Sequence, residues 1–349
     1  MGRRWRRAAM ALTVAVSASG CAAVVLGTAS PAVGSSPTTS NKYGFEMSET
    51  DRYLADSADF VRSLDPCGFL VEADLAALGT VVQLRPDGYL SSCSASLTTP
   101  KSSATDSVTI DLNTHRPPSE DPDAGQTTIG GVEAYLDDSK QGACSISFAL
   151  REKFDGATTA TMDGFLAASG RSYASIEVSR RVGDACAAAR SIAETALGLL
   201  DDPPLRADSK YNIALASKDL CAVLEHLPAT WTVDRWRPGS DPYRCHFMAS
   251  SSTFEDNLAM LHIELGYVDS DARSAGRVPV RQGGYTVETR GSDSSCFADI
   301  VLGNPVLGLP DKDDIAARYA RTVPTLSVLT DDCDSAVALA VSAADLLTG

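Results

Sequence analysis

Cysteine is the residue in this chain with the most chemistry to offer, and its spacing says which chemistry that is. Beyond Cys21 there are eight, Cys67, Cys93, Cys144 and Cys186 followed by Cys221, Cys245, Cys296 and Cys333, with separations of 26, 51 and 42 residues and then 24, 51 and 37. Two unrelated sets of thiols seldom agree so closely, so the pattern predicts an internal repeat with two disulfides in each copy. Four cysteines permit three pairings. We expect the first with the fourth and the second with the third, which joins two helices and two strands in each copy; a bond between Cys67 and Cys93 is the finding that overturns this. Metal binding calls instead for short pairs such as Cys-x-x-Cys with histidines nearby, and no such pair exists here.

The remaining candidates for chemistry are weak. Nucleophilic serine needs a base within hydrogen-bond reach, and the chain has only His115, His226, His246 and His262, none in a recognisable setting. There is no Gly-x-Ser-x-Gly elbow, Ser-x-x-Lys, phosphate loop or His-Glu-x-x-His. His262 falls at a polar position of an alternating segment, where a solvent-facing imidazole is expected. Asp121-Pro122-Asp123-Ala124-Gly125 begins like a calcium loop, but its sixth position is Gln126 and its twelfth Val132, so a solvated acidic turn is expected. These readings predict a protein that is not an enzyme and holds no metal or cofactor. Trp231, Trp236, Tyr243 and Phe247 crowd around the first two cysteines of the second set, where the first set offers only Tyr89. Such aromatics either fill the second core or line a ligand site there.

Cys21 has a different use. Gly2 to Arg7 carry four arginines, Ala8 to Ala18 are an apolar run, and Ala18-Ser19-Gly20-Cys21 closes it like a lipobox. Residues 1–20 are therefore expected to be a signal peptide, with Cys21 lipidated and the protein held on the outer face of the cell membrane. An uncleaved anchor continuing through Val24, Val25 and Leu26, or ordinary cleavage near Ala32 to Gly34, are the alternatives. Residues 21–45 contain a small, polar, proline-punctuated stretch that suits a flexible tether. Lysine plus arginine number 30 against 45 acidic residues. Four of those cations leave with the leader, so the mature chain is more negative than −15 and no nucleic-acid partner is expected.

The elements that must carry the cysteines are legible on both sides of Leu200-Asp201-Asp202-Pro203-Pro204-Leu205, which reads as an interdomain linker. The domains are expected over 46–202 and 203–349. Asp65-Pro66-Cys67 sets a cap and a first-turn proline for a helix running to Gly79, and Asp219 to Leu227 matches it. Val108 to Leu112 and Leu261 to Leu265 alternate with period two. Gly130-Gly131 and Gly283-Gly284 mark tight turns entering strands. Asp184 caps a helix through Cys186, and Asp331 or Asp332 one through Cys333. The predicted fold class is α+β: two tandem copies of an antiparallel sheet packed against N- and C-terminal helices.

Asp-Pro-Cys at a helix start, a second and a third cysteine on strands and a fourth opening an alanine-rich last helix resemble the actinobacterial cell-envelope lipoproteins of a four-cysteine domain of unknown function. Residues 61–200 are similar to one copy and 210–348 to a second. The family's Trp after the second cysteine is replaced by Ser94-Ala95 and by His246-Phe247, and its acidic residue after the fourth is present only as Asp334, so the second copy fits better. The resemblance implies an envelope location, an α+β fold and no known reaction. The expected function is a non-catalytic binding or sensing module with an unknown small-molecule or protein ligand. An envelope enzyme with an unrecognised carboxylate site and a structural partner of another envelope protein are the rivals.

Overall fold

Alternation of apolar and short polar residues does produce strands. In a computed structural model that describes residues 42–99, 102–114, 125–151, 172–211, 213–238, 241–251, 254–267, 277–292, 295–304, 306–307 and 321–349, it builds a mixed α+β fold around antiparallel pairing. The first half contributes β1 (Thr80–Asp87), β2 (Tyr89–Thr99), β3 (Ser102–Asn113), β4 (Gly125–Ile129), β5 (Val132–Asp137), β6 (Ala143–Ala149) and β7 (Tyr173–Ser179). They lie side by side as β4-β5-β6-β7-β3-β2-β1. The second half contributes β8 (Trp231–Pro238), β9 (Arg244–Ser251), β10 (Phe254–Tyr267), β11 (Val278–Gln282), β12 (Tyr285–Ser292), β13 (Ser295–Val301), β14 (Val306–Leu307) and β15 (Arg321–Thr330). Their order is β11-β12-β13-β15-β10-β9-β8, with β14 added on β15. A single register pair, Tyr89 with Glu264, joins the two runs into one sheet.

Buried residues alternate along the strands and meet a helix of small residues in each half. Cys144, Ile146 and Phe148 of β6 and Ala174, Ile176 and Val178 of β7 face α3 (Ala185–Gly198), whose Ala188, Ala189, Ile192, Ala193 and Ala196 are buried. Cys296, Ala298 and Ile300 of β13 and Leu326 and Val328 of β15 face α4 (Cys333–Thr348) in the same way. Alanine faces let each helix axis sit close to the sheet. Asp184 accepts the amides of Cys186 and Ala187, and Asp332 that of Ser335, so the expected caps start both helices.

The glycine pairs are two-residue hairpin loops. Gly130 and Gly131 have φ of 56° and 81°, Gly283 and Gly284 of 59° and 85°, the double positive φ that a type I′ turn demands. Ile129 pairs with Val132 and Gln282 with Tyr285 across them.

Two expectations need correction. The disulfides join Cys67 to Cys93, Cys144 to Cys186, Cys221 to Cys245 and Cys296 to Cys333, first with second and third with fourth in each half. The preferred pairing of Cys67 with Cys186 and Cys93 with Cys144 is wrong because each cysteine-bearing helix packs on its own strand. Cys67 lies over β2 and Cys186 over β6, and β3 and β7 stand between those two strands in the sheet. The helix expected from Asp65 to Gly79 is two pieces, a 3-10 turn (Pro66–Phe69) and α2 (Glu72–Leu78). Asp65 still caps it through the Cys67 amide, and Asp219 likewise caps a 3-10 stretch (Leu220–His226) through that of Cys221. The stretch at Leu200 to Leu205, expected as the linker, is tied to the first half. Leu205 bridges Leu64, the Asp65 amide donates to Pro204, and a Cβ on Gly68 would come within 2.4 Å of the Pro204 ring.

A helix that the sequence reading passed over, α1 (Glu49–Ser63), opens the described chain. Ser48 and Asp51 form a capping box, and Leu54, Ala55, Ala58, Val61 and Arg62 make its buried face. That face packs on β8 and on the segments 206–208 and 214–217, all within the second half. Residues 39–349 form one compact unit.

Candidate functional site

Where α1 meets the segment leading into the second half, the surface dips into a groove of about 710 Å³. It is lined by Asp59, Arg62, Leu205, Arg206 and Ile213, with Ala207, Ala214 and three serines. The lining therefore mixes apolar side chains with ionic and hydroxyl groups.

Arg62 and Arg206 of this lining belong to a network crossing between the halves. Arg62, 4% exposed, donates to the Pro242 carbonyl at 2.7 Å, contacts Asp59 on its own helix and lies 3.3 Å from Asp219. The Tyr43 hydroxyl donates to the same Asp219 at 2.6 Å, and Lys42 pairs with Asp59 at 2.7 Å. Arg206 donates to the Leu90 carbonyl at 2.7 Å and to the Tyr243 hydroxyl at 3.3 Å, and lies 3.9 Å from Asp65. Burial works against the Arg62 charge, yet Asp219 and Asp59 outweigh it and hold the guanidinium above its ordinary pKa. Burial, reinforced by Asp219, raises the Tyr43 phenol. Burial also raises Tyr243, against the pull of Arg206 and Arg62, and pushes Tyr211 up to about 12 with help from Asp65.

Tyr43 reaches this place by an unusual backbone, with φ of 65°, and its ring lies 5.7 Å from that of Trp236. The chain thus enters its described part not beside the first half but against the second.

The aromatic quartet does not form one surface. Trp236, Tyr243 and Phe247 are 7%, 0% and 1% exposed and belong to the core. The Trp236 indole N–H points at Cys221 Sγ, 3.1 Å away, and the Tyr243 hydroxyl donates to the Ala216 carbonyl at 2.6 Å. Trp231 is half-buried at the start of β8. Of the histidines, His226 is exposed at the end of its 3-10 stretch and His246 lies on β9, while His262 is placed only by its register opposite Ser327 and Arg244. His115, Asp121, Pro122, Asp123 and Ala124, like Cys21, lie outside the described residues.

Two carboxylates do converge elsewhere in the second half. Glu288 and Asp299 lie 3.0 and 3.3 Å from Arg277, and the Ser327 hydroxyl donates to Asp299 at 2.5 Å. An arginine between them makes this an ion-pair cluster rather than an acid and base facing a common atom. Among the described residues no group of three or more His, Cys, Asp or Glu is arranged to hold a metal ion, and no helix is long and apolar enough to cross a membrane.

Sequence reading missed Tyr43, Arg62 and Arg206. For Arg62 the sequence marks only its helix, through the Ser48 and Asp51 capping box, and not its burial. Arg206 had none, because nothing around a cation in a proline-flanked loop says that it will be covered. No family model, curated protein or solved structure matches this chain.

Proposed function

We propose that this chain is an exported lipoprotein of the cell envelope, anchored on the outer face of the membrane through Cys21, whose folded part is two copies of one four-cysteine domain and acts by binding. In this reading it belongs with the actinobacterial envelope lipoproteins that its cysteine pattern resembles, and residues 46–202 and 203–349 are its domains. Eight cysteines closed into four disulfides support an oxidising compartment. The identical strand order of the two halves supports the duplication.

One observation carries the choice of binding over catalysis: the groove's one carboxylate, Asp59, is already paired with Lys42 and Arg62, so no free acid or base faces the groove. Arg62 is held by Pro242, Asp59 and Asp219, and Arg206 bonds Leu90 and Tyr243 through Nη2 and lies 3.9 Å from Asp65, with its Nε and Nη1 covered but without a hydrogen-bond acceptor. That leaves Leu205, Ala207, Ile213 and Ala214, with Ser63, Ser209 and Ser217, to meet a ligand. A small molecule with an apolar body and a few hydrogen-bonding groups fits that lining.

Native mass spectrometry of protein purified from its own host tests both parts. The expected spectrum shows the mass of a diacylglyceryl group, lost in Cys21→Ser together with membrane association, and a bound molecule, lost in Ala207→Trp while the fold is kept. A wild-type protein that carries no bound molecule would sink the binding reading, and an unacylated Cys21 would sink the anchor.

A further inference from the structure

Resting on the two-copy reading, we infer that the contact between the halves is an isologous interface: each half offers the other one and the same surface, and the partner which that surface fits is a second copy of this domain. Counting from the cysteines exposes the correspondence. Asp65 and Asp219 each precede the first cysteine of their half by two residues and cap the turn that bears it. Leu90 and Pro242 each precede the second cysteine by three.

Arg62, from the segment leading into the first half, takes the Pro242 carbonyl at 2.7 Å and Asp219 at 3.3 Å in the second. Arg206, from the segment leading into the second half, takes the Leu90 carbonyl at 2.7 Å and Asp65 at 3.9 Å in the first. Each arginine meets the same two acceptors across the boundary, which is the reciprocal pattern of a two-fold interface. The arms that deliver them differ. Arg62 stands on α1, three residues before its own aspartate, and Arg206 on a 3-10 turn, thirteen before its own. Matched acceptors reached from unmatched arms mean that the surface, not a repeated local sequence, sets the contact.

Both guanidiniums are deeply covered, at 5% and 7% side-chain exposure, so deleting Arg206 strips Asp65 of its cation and deleting Arg62 leaves Asp219 only Lys42, 4.0 Å away. The halves should therefore hold together without the linker. All four disulfides close within one half, so a cut in the exposed turn at Asp201 and Asp202 leaves nothing covalent between them.

The test is a protease site inserted between Asp201 and Asp202 in the full chain, followed by size-exclusion chromatography of the cleaved protein under non-reducing conditions. The expected result is a one-to-one complex, with Arg62→Met plus Arg206→Met raising its dissociation constant at least about thirtyfold. Cleaved halves that part with both arginines present, or a complex indifferent to the double substitution, would overturn the inference. If the methionine variant does not fold, Asp65→Asn plus Asp219→Asn makes the same comparison, because asparagine keeps the cap acceptor and removes only the charge. Circular dichroism of the separated halves judges the underlying reading by itself. Halves that stay folded alone sustain the two-copy reading, and a half that unfolds alone refutes it whatever the clasp result.

Discussion

Arg62 shows how a charge becomes structural. It sits under the groove with three oxygen partners, one on its own helix and two in the other half. Arg62→Met is expected to lower the free energy of unfolding by about 2 kcal/mol, because Asp219 then keeps only the Tyr43 hydroxyl and Lys42, 4.0 Å away. Asp59→Ala, at a half-exposed partner, should cost under about 1 kcal/mol. Urea melts of the two variants check the contrast. The phenols supply a pH test. Tyr43, Tyr211 and Tyr243 all have folded-state pKa values raised above the ordinary value of 10, Tyr211 to about 12. A raised pKa means that the folded chain binds the proton more tightly than the unfolded chain. Stability is then fully present below pH 10 and falls as pH rises through 10 to 12. Melts across that range, with Tyr211→Phe shallower than the parent, measure it.

Turns and caps repeat between the halves, and they differ in ways that can be measured. Gly130 and Gly283 occupy the same position of the same hairpin turn, but a Cβ on Gly130 would meet nothing within 4 Å, whereas one on Gly283 would come within 2.5 Å of Val341 on α4. Alanine at Gly130 bears only the strain of its positive φ, about 1 kcal/mol. Alanine at Gly283 must also push aside the Val341 side chain, so its thermal midpoint should drop clearly further. Asp184→Ala removes two accepted amides at the start of α3 and should cost about 1 kcal/mol in the same assay. Of these elements the caps and glycine pairs were readable from residue type alone, because their bonds are local. The split of the expected helix at Asp65 to Gly79 was not, since a disulfide and the approach of Pro204 to Gly68 decide it.

At the level of the assembled chain, the disulfides are short-range staples. Loops of 24 to 42 residues are each worth about 3.5 to 4 kcal/mol in the chain-entropy model. Non-reducing peptide mapping should recover Cys67 with Cys93 and Cys144 with Cys186, and any fragment linking Cys186 to Cys67 would contradict the fold. Because every bridge lies on one side of the boundary, the cohesion of the two halves rests on non-covalent contacts. The ion pairs of Arg62 and Arg206, the packing of Tyr43 on Trp236 and the one register pair between β2 and β10 supply it.

What the amino-acid order determined unaided was whatever depends on neighbours in the chain or on periodic recurrence: the cysteine repeat, the alternating strands, the aspartate caps and the Gly-Gly turns. Cysteine pairing, the crossing of α1 onto the opposite half and the burial of Arg62, Arg206 and Tyr43 belong to tertiary structure alone. Each of these joins groups separated by tens to hundreds of residues, and the partner of a long-range contact is chosen by which surfaces are brought together after the local elements have formed. No spacing along the chain records that choice.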